Sequence, residues 1–387
     1  MTILLPDTSG TTRAYEPRSE PMHHKAGLPL RSRVVYSAAH VVADPFHTAA
    51  DAPAAVDWDA TLAFRRHLWS QGLGVAEAMD TAQRGMGLDW PVAAELIRRS
   101  SAEARTTGGR IACGVGTDQL VGPAAAQATL AEVVAAYEEQ LAVVEGAGSQ
   151  AIIMASRALA AVAKGPDDYL EVYGHLLRQS ADPVILHWLG PMFDPALAGY
   201  WGSGDLDIAT ETFLEVIAAH PDKVDGIKIS LLDAGREVAL RRRLPEGVRC
   251  YTGDDFNYPE LIEGDDEGFS HALLGIFDPL APLASAAVSA LDTGDAAGFR
   301  ALLDPTVGLS RHLFEAPTRF YKTGVVLLAW LAGYQDHFTM VGGLQSARSL
   351  PHLARAYELA DQVGIFADPA LAEARMRGLL AVYGVDA

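Results

Sequence analysis

The chain has 387 residues, of which 49% are hydrophobic, and its formal net charge at pH 7 is −19. This length can form one large α/β barrel or two smaller domains. Such an acidic surface repels nucleic acid and anionic membranes, so neither is an expected partner. The sequence shows no apolar run long enough to cross a bilayer and no signal-peptide core, which predicts a cytoplasmic protein. Its two cysteines, Cys113 and Cys250, lie in apolar runs and are expected to be small core residues.

Strand-like and helical segments alternate along most of the chain. Residues 1 to about 30 are polar and proline-rich and predict an N-terminal arm or a partly ordered extension. The predicted strands are 33–37, 75–80, 110–115, 151–155, 183–189, 224–230, 248–252 and 271–277. The predicted helices between them are 58–69, 91–105, a long alanine-rich helix ending near 145, 167–179 and 210–219. Residues from about 280 onward are predicted to be helical.

This alternation predicts the fold class. Eight strands separated by helices indicate parallel pairing with right-handed crossovers, and hence a closed (β/α)8 TIM barrel. We expect three parts: an N-terminal arm at 1–30, the barrel at 31–285, and a C-terminal helical segment at 286–387 that packs on the barrel. In such barrels the active site lies at the C-terminal ends of the strands.

The predicted sixth strand contains a lysine. Side chains alternate across a strand, so Lys228 would share a face with Gly226 and Ser230, while Ile227 and Ile229 point the other way. Of the five lysines in the sequence, only this one is enclosed by apolar strand residues. Burial lowers the pKa of a lysine and makes its amine a nucleophile that can form a Schiff base with a ketone or aldehyde. The alternative is a lysine that reaches water at the strand end or pairs with a carboxylate.

Other polar residues follow the predicted strands and would meet Lys228 at the barrel mouth. Each also has a structural interpretation: the carboxylates can cap helices or shape loops, and the histidines can be buried with a backbone partner. His187 is expected to shuttle a proton, because the unperturbed histidine pKa of about 6.5 suits proton transfer near neutrality. The candidates at the strand ends are His40, Asp80, Thr81, Arg157, His187, Ser230, Asp254 and Asp255.

Four short motifs in this order resemble the dihydrodipicolinate synthase / N-acetylneuraminate lyase family of class I aldolase-like barrels. The segment 225–228 is similar to the family's Gly-Ile-Lys strand, whose lysine forms the Schiff base, and 184–188 is similar to its tyrosine-bearing strand. The turns 253–255 and 114–116 match its Gly-Asp-Asp and Gly-Thr-Gly turns. The chain resembles a divergent, largely uncharacterised branch, because Asp80–Arg84 replaces the carboxylate-binding Gly-Thr-Thr-Gly-Glu loop and His187 replaces the tyrosine.

The resemblance implies a lyase, aldolase or hydro-lyase that forms a Schiff base with a keto acid or a hydroxylated, sugar-derived keto compound. It would not be a standard dihydrodipicolinate synthase. Lys228, His187 and Thr81 would be catalytic, and the remaining candidates would bind substrate. The resemblance implies a covalent lysine imine without cofactor or metal, a small-molecule carbonyl substrate and a homo-oligomer, either dimer or tetramer.

Two alternatives remain open at this point. The first is a metal-dependent lyase or isomerase on the same barrel, because several strand-end candidates carry suitable oxygen and nitrogen ligands. The second is a barrel without catalysis that binds a metabolite. The candidate ligands for the first are His40, Asp80, His187, Asp254 and Asp255.

Overall fold

The structure is a computed structural model that describes residues 2–18, 20–50 and 52–385. These residues form ten β-strands and fifteen α-helices, together with several short 3-10 turns. The strands are β1 Ile3–Pro6, β2 Thr12–Tyr15, β3 Val35–Ala38, β4 Gly74–Glu77, β5 Ile111–Val115, β6 Gln150–Ile153, β7 Val184–Leu189, β8 Val224–Ser230, β9 Arg249–Thr252 and β10 His271–Leu274. The helices are α1 Trp58–Ser70, α2 Trp90–Thr107, α3 Pro123–Gln127, α4 Leu130–Gly146, α5 Arg157–Val162, α6 Pro166–Gln179, α7 Leu206–Ala219, α8 Ala234–Arg241, α9 Tyr258–Glu263, α10 Ala281–Asp292, α11 Ala296–Leu303, α12 Val307–Leu313, α13 Tyr321–Leu331, α14 Leu350–Val363 and α15 Pro369–Val382.

One compact unit, residues 33–39 and 74–274, contains a closed barrel of eight parallel strands. The strands follow chain order around the barrel from β3 to β10, and β10 closes it by pairing with β3. Helices α2 to α9 occur in the connections between these strands. The predicted (β/α)8 barrel and the additional C-terminal helices are therefore confirmed.

The barrel interior is filled by side chains from alternate strand positions, as the two-residue period of a strand requires. Three alanines, Ala38, Ala76 and Ala112, are register partners on adjacent strands, and Ile152 and Ile185 are partners on the next two strands. The buried cluster comprises Tyr36, Ala38, Ala76, Met79, Ala112, Ile152, Ile185, Tyr251 and Leu273.

The second compact unit comprises 40–73, 275–385 and the described residues before 33. It contains α1, α10 to α15 and an antiparallel hairpin of β1 and β2. The sequence analysis missed this hairpin because its strands are four residues long. Its stability comes from tertiary contacts: Ile3 and Leu5 are buried, Arg13 pairs with Glu358, and the Tyr15 hydroxyl donates to Asp361 at 2.6 Å.

Observed strand ends differ from the predicted ones where the chain turns early. The second barrel strand ends at Glu77, and Asp80–Ala82 forms a 3-10 turn instead of strand. The eighth ends at Leu274 rather than at 277. The predicted division of the chain at residues 30 and 285 stays a prediction.

A buried carboxyl on α8 supports the end of β9. Glu237 is fully buried and accepts hydrogen bonds from the hydroxyls of Thr252 (3.0 Å) and Ser270 (2.7 Å). Thr252 Oγ1 in turn accepts from the backbone N–H of Asp254 at 3.1 Å. Burial raises the pKa of Glu237 from 4.5 to about 8, because a carboxylate is poorly solvated there.

Glu237 should make the stability of the chain fall as pH rises. In the unfolded chain this carboxyl ionises near pH 4.5, whereas the folded state holds its proton up to about pH 8. Its contribution is therefore complete below pH 4.5 and is lost between the two values, by on the order of 2–4 kcal/mol. Urea unfolding of the wild type and Glu237→Gln at pH 5, 6.5 and 8 should show a flatter pH dependence in the variant.

The exposed residue Glu246 gives the matched control for this measurement. Glu246→Gln should leave the pH dependence of the wild type unchanged. If the free energy of unfolding changed equally with pH in Glu237→Gln and in the wild type, Glu237 would not hold its proton in the folded state.

Candidate active site

Lys228 lies in the middle of β8 with its side chain directed into the barrel. Gly226 lies two residues before Lys228, on the same face of β8. The register partner of Gly226 is Ile185, a residue of the interior cluster, so this face of the strand points into the barrel. Lys228 is 7% exposed, and within the described ranges it forms no hydrogen bond or ion pair. Burial lowers the pKa of its ammonium group, although the carboxylates of Asp80 and Asp255 act in the opposite direction. This environment favours a free amine.

His187 is the register partner of Lys228 on the neighbouring strand β7. Its Nε2 lies 3.1 Å from the hydroxyl of Ser230, and its buried Nδ1 has no hydrogen-bond partner among the described residues. Burial, and then the charge of Lys228, lower the pKa of His187 well below its ordinary 6.5. The unperturbed pKa of about 6.5 applies to a solvated imidazole, and His187 is buried. His187 is neutral at physiological pH and can accept a proton.

The turn after β9 fits closely against Lys228. A Cβ atom on Gly253 would lie 2.2 Å from Ser230 Oγ, 2.8 Å from the Ile229 carbonyl oxygen and 2.9 Å from Lys228 Cε. Glycine is therefore required here by close approach of the backbone to the lysine.

The two carboxylates of this turn have different surroundings. Asp254 Oδ1 accepts from the backbone N–H groups of Phe256 (2.8 Å) and Asn257 (3.0 Å), and its Oδ2 accepts from the Asn257 side chain. Asp254 thus shapes the loop. Asp255 is also buried, and its charge acts on Lys228.

A cavity of about 390 Å3 opens at the C-terminal ends of β4 to β7. Three of the predicted site residues, Asp80, His187 and Arg157, line it. Lys228 and Ser230 lie on the next strand, in register with His187 and Leu189 of the cavity wall. The structure thus places the lysine strand directly beside the wall of a cavity at the end of the barrel where such active sites occur.

The chain matches one protein-family model over residues 3–385, and that family is described as DUF993, a protein of unknown function. The chain belongs to this family. No curated protein matches the sequence.

Among solved structures, a prophage protein of the dihydrodipicolinic acid synthase family from E. coli K12, YagE in complex with pyruvate, has 12% identity and a TM-score of 0.67. The dihydrodipicolinate synthase from Aquifex aeolicus has 13% identity and a TM-score of 0.65, and each comparison covers 86% of this chain and 99% of the other. The pyruvate-complexed, chloride-inhibited enzyme from Acinetobacter baumannii has 15% identity and a TM-score of 0.64, over 87% of this chain and 100% of that one. These TM-scores show a shared fold, which confirms the resemblance. A match to a family of unknown function agrees with the expected divergent branch.

An arginine that the sequence analysis did not select anchors one wall of the DUF993 cavity. Arg84 is 4% exposed and forms an ion pair with Asp118, and it also donates to Gln140 and to the Gly114 carbonyl at 2.8 Å. Gln140 donates to Asp118 at 2.8 Å. Arg84 and Asp118 each follow a barrel strand, and this position is the sequence signal that could have identified both as site residues. Their ion pair joins residues 34 positions apart and is visible only in the folded structure.

The cavity lining also includes Arg157 and a pair of hydroxyl groups, those of Thr117 and Ser156. Arg157 forms an ion pair with Asp194, and its side chain is 48% exposed. The hydroxyls of Thr117 and Ser156 lie 2.6 Å apart, and the backbone N–H of Ser156 donates to the Tyr200 hydroxyl at 2.9 Å. The cavity therefore offers hydroxyl groups and paired charges rather than an isolated cation.

Two further candidates are buried. Thr81 is the central residue of the 3-10 turn Asp80–Ala82 and is 1% exposed. His40 belongs to the second compact unit, where Nδ1 bonds to the Asp278 carboxylate at 2.8 Å and Nε2 to Gln335 at 2.9 Å. Both ring nitrogens of His40 are thus engaged, which fits the structural interpretation of this histidine.

Within the ranges that the structure describes, no helix is both long and apolar enough to span a membrane.

Replacing Gly253 by alanine should disturb the lysine site and destabilise the barrel. The added Cβ would overlap Ser230 Oγ and the Ile229 carbonyl oxygen, and overpacking of this kind costs about 1–3 kcal/mol. Thermal unfolding of Gly253→Ala should show a lower midpoint than that of the wild type.

Gly146→Ala is the matched control, because a Cβ at the end of α4 would meet no atom within 4 Å. The control should keep or slightly raise the midpoint, since alanine favours helix. An unchanged midpoint in Gly253→Ala would contradict the close packing of this turn.

Proposed function

We propose that this DUF993 chain is a Schiff-base-forming lyase, aldolase or hydro-lyase that acts on a keto acid or hydroxylated keto compound. The observation that carries the proposal is the buried amine of Lys228, which has no ion pair among the described residues and lies beside a cavity wall. An idle buried amine destabilises a fold, so its presence next to a cavity favours a chemical role. We further propose that it acts in the cytoplasm as a homo-oligomer.

The chemistry begins with the neutral amine. Lys228 Nζ attacks the carbonyl carbon of the substrate, and loss of water from the resulting carbinolamine leaves an iminium ion. In the lyase or aldolase reaction, the electrons of the C–C bond beside the iminium move toward it as that bond breaks and form an enamine, which is then protonated to an iminium. In the hydro-lyase reaction, loss of the proton on the adjacent carbon forms the enamine, which expels the hydroxyl group as water and leaves an unsaturated iminium. Addition of water to the iminium of either route releases the product and restores the free amine.

Neutral His187 fits the role of proton acceptor in this sequence. Its lowered pKa leaves a lone pair at physiological pH, and Ser230 fixes the position of Nε2 at 3.1 Å. It would take the proton from the substrate hydroxyl in C–C cleavage and return it to the enamine carbon, or take the proton from carbon in C–O cleavage and give it to the departing hydroxide. Thr81, buried in the turn that follows β4, is proposed to orient this proton transfer.

The polar groups of the cavity favour a hydroxylated substrate. Arg84 and Arg157 are each paired with an aspartate, so neither guanidinium is available as an isolated anion site. Asp80 and the hydroxyl pair of Thr117 and Ser156 are suited to substrate hydroxyls. We propose Asp80 and Arg157 as direct substrate contacts, with Ser230, Asp254 and Asp255 as their support around the lysine. Standard dihydrodipicolinate synthase activity is not expected.

The metal-dependent alternative receives no support from the arrangement of its candidate ligands. Asp254 is hydrogen-bonded within its own loop, and His40 is held by Asp278 and Gln335 in the other compact unit. A binding barrel without catalysis is distinguished by the experiment below.

Borohydride trapping tests the nucleophile. The protein is incubated with keto acids and hydroxylated ketoses and then reduced, and intact mass and peptide mapping locate the adduct. We expect an adduct on Lys228 with at least one compound, and its loss in Lys228→Met. Lys322→Met is the matched control, because Lys322 is also buried but donates to the Arg319 carbonyl at 3.1 Å.

The outcomes of trapping separate the hypotheses. An adduct that persists in Lys228→Met would falsify the proposed role of this lysine. Ligand-induced thermal stabilisation without any adduct or turnover would support the non-catalytic binding barrel instead.

The reactivity of Lys228 should depend on pH through its lowered pKa. As pH falls through that pKa the amine gains a proton and stops reacting, so labelling by a small neutral electrophile such as acetic anhydride should decline. The carboxylate of Asp80 raises the pKa of Lys228, so Asp80→Asn should move the midpoint of this decline to lower pH. The rate at Lys228 is followed by peptide mass spectrometry.

Asp182→Asn serves as control, since Asp182 is exposed on the connection before β7. Its midpoint should equal that of the wild type. A midpoint in Asp80→Asn at the wild-type pH or above it would show that Asp80 does not act on the lysine.

A further inference from the structure

Three potential metal ligands lie together in the compact unit that does not contain Lys228. His312 and Glu315 occupy the end of α12 and the segment after it, and His352 lies in the first turn of α14. One donor atom from each residue lies within 4.8 Å of the other two. The two imidazole rings stack with their centroids 4.1 Å apart, and both face the Glu315 carboxylate.

The hydrogen bonds of His312 determine which nitrogen has a free lone pair. Its Nε2 lies 2.9 Å from the carbonyl oxygen of His352, and because a carbonyl only accepts, Nε2 must carry the proton. In the neutral ring Nδ1 then presents a lone pair to Glu315 Oε2 at 3.7 Å. A lone pair facing a carboxylate is unfavourable unless a proton or a metal cation lies between them.

The spacing of the donors suits a transition metal. Bonds of about 2.0–2.1 Å in tetrahedral geometry place neighbouring donors about 3.3 Å apart. Two of the three separations bracket this value: 2.9 Å between His352 Nδ1 and Glu315 Oε1, and 3.7 Å between His312 Nδ1 and Glu315 Oε2. The first is a hydrogen bond, so the ion would replace the proton between these two atoms. Two imidazoles and one carboxylate favour Zn2+ or a similar ion over Ca2+ and Mg2+, which prefer oxygen ligands.

The surroundings hold these ligands in place. The bond from His312 Nε2 to a backbone carbonyl is of the kind that orients histidines at metal sites. Arg348 donates to the carbonyl of Glu315 at 2.6 Å and to that of Pro317 at 3.2 Å, which fixes the segment after α12. Its positive charge opposes a cation, but the guanidinium donates to backbone carbonyls and leaves the Glu315 carboxylate free to face the histidines.

We propose that His312, Glu315 and His352 bind one divalent transition-metal ion of the Zn2+ class, with water at the remaining position. The ion would connect the end of α12 to the start of α14, which are separated by 37 residues between Glu315 and His352. Glu315 gives access from solvent, since its side chain is 51% exposed. The role is structural and does not depend on the Schiff-base chemistry proposed for Lys228.

Zn2+ binding to the tag-free, chelator-treated full chain tests the site. Equilibrium dialysis with metal analysis should give one Zn2+ per chain, and Co2+ as a probe should show the visible absorption bands of a tetrahedral site. His312→Ala and Glu315→Gln should each weaken Zn2+ affinity by at least about tenfold. Glu315→Gln changes a half-exposed side chain, so it keeps the test valid if His312→Ala fails to fold, as circular dichroism would show.

His175→Ala is the matched control. His175 Nε2 lies 2.8 Å from Glu138 Oε1, and no second histidine ligand joins this pair in the described part of the chain. The control should bind Zn2+ with the affinity of the wild type. Wild-type protein that binds no Zn2+, or folded variants at 312 and 315 that retain full affinity, would overturn the site in favour of a hydrogen-bonded His–Glu–His cluster.

Discussion

Removal of the Lys228 amine from water is the constraint on which the candidate active site depends. An ammonium ion inside a barrel is unfavourable unless a carboxylate pairs with it closely, and the described residues supply no such pair. The site instead favours the neutral amine, with Asp80 and Asp255 limiting how far its pKa falls. The strand register then places His187 beside the lysine, and a charge on Lys228 disfavours a charge on His187. Burial favours the neutral form of both groups, the form suited to carbonyl addition and proton transfer.

This arrangement depends on polar groups behind the site as well as in it. The β9 end is held by a series of hydrogen bonds from Glu237 through the Thr252 hydroxyl to the Asp254 backbone. Asp254 then forms the loop, and Gly253 allows the backbone to approach the lysine. Because the lysine and the turn are packed this closely, the position of the amine is set by a rigid β-strand and its neighbour rather than by a mobile loop.

The cavity walls distinguish this DUF993 protein within a widely shared fold. The (β/α)8 barrel supports many chemistries because the loops at the strand ends vary independently of the core. Here Arg84 and Arg157 are each paired with an aspartate, and the hydroxyls of Thr117 and Ser156 also line the cavity. This composition is the basis on which we propose a hydroxylated substrate. The inferred function is therefore based on the site residues, while the solved structures contribute the fold.

The sequence by itself determined the barrel and the position of its lysine. Apolar runs of strand length between helical segments predict the parallel fold, and the two-residue period of a strand predicts the face of Lys228. Only the tertiary structure decided which groups meet. Strand register brings His187 to Lys228, and burial changes the pKa that a solvated histidine would have. The partners of His40 are 238 and 295 residues away. The hairpin β1–β2 and the His312–Glu315–His352 cluster likewise depend on long-range packing, which local periodicity does not encode.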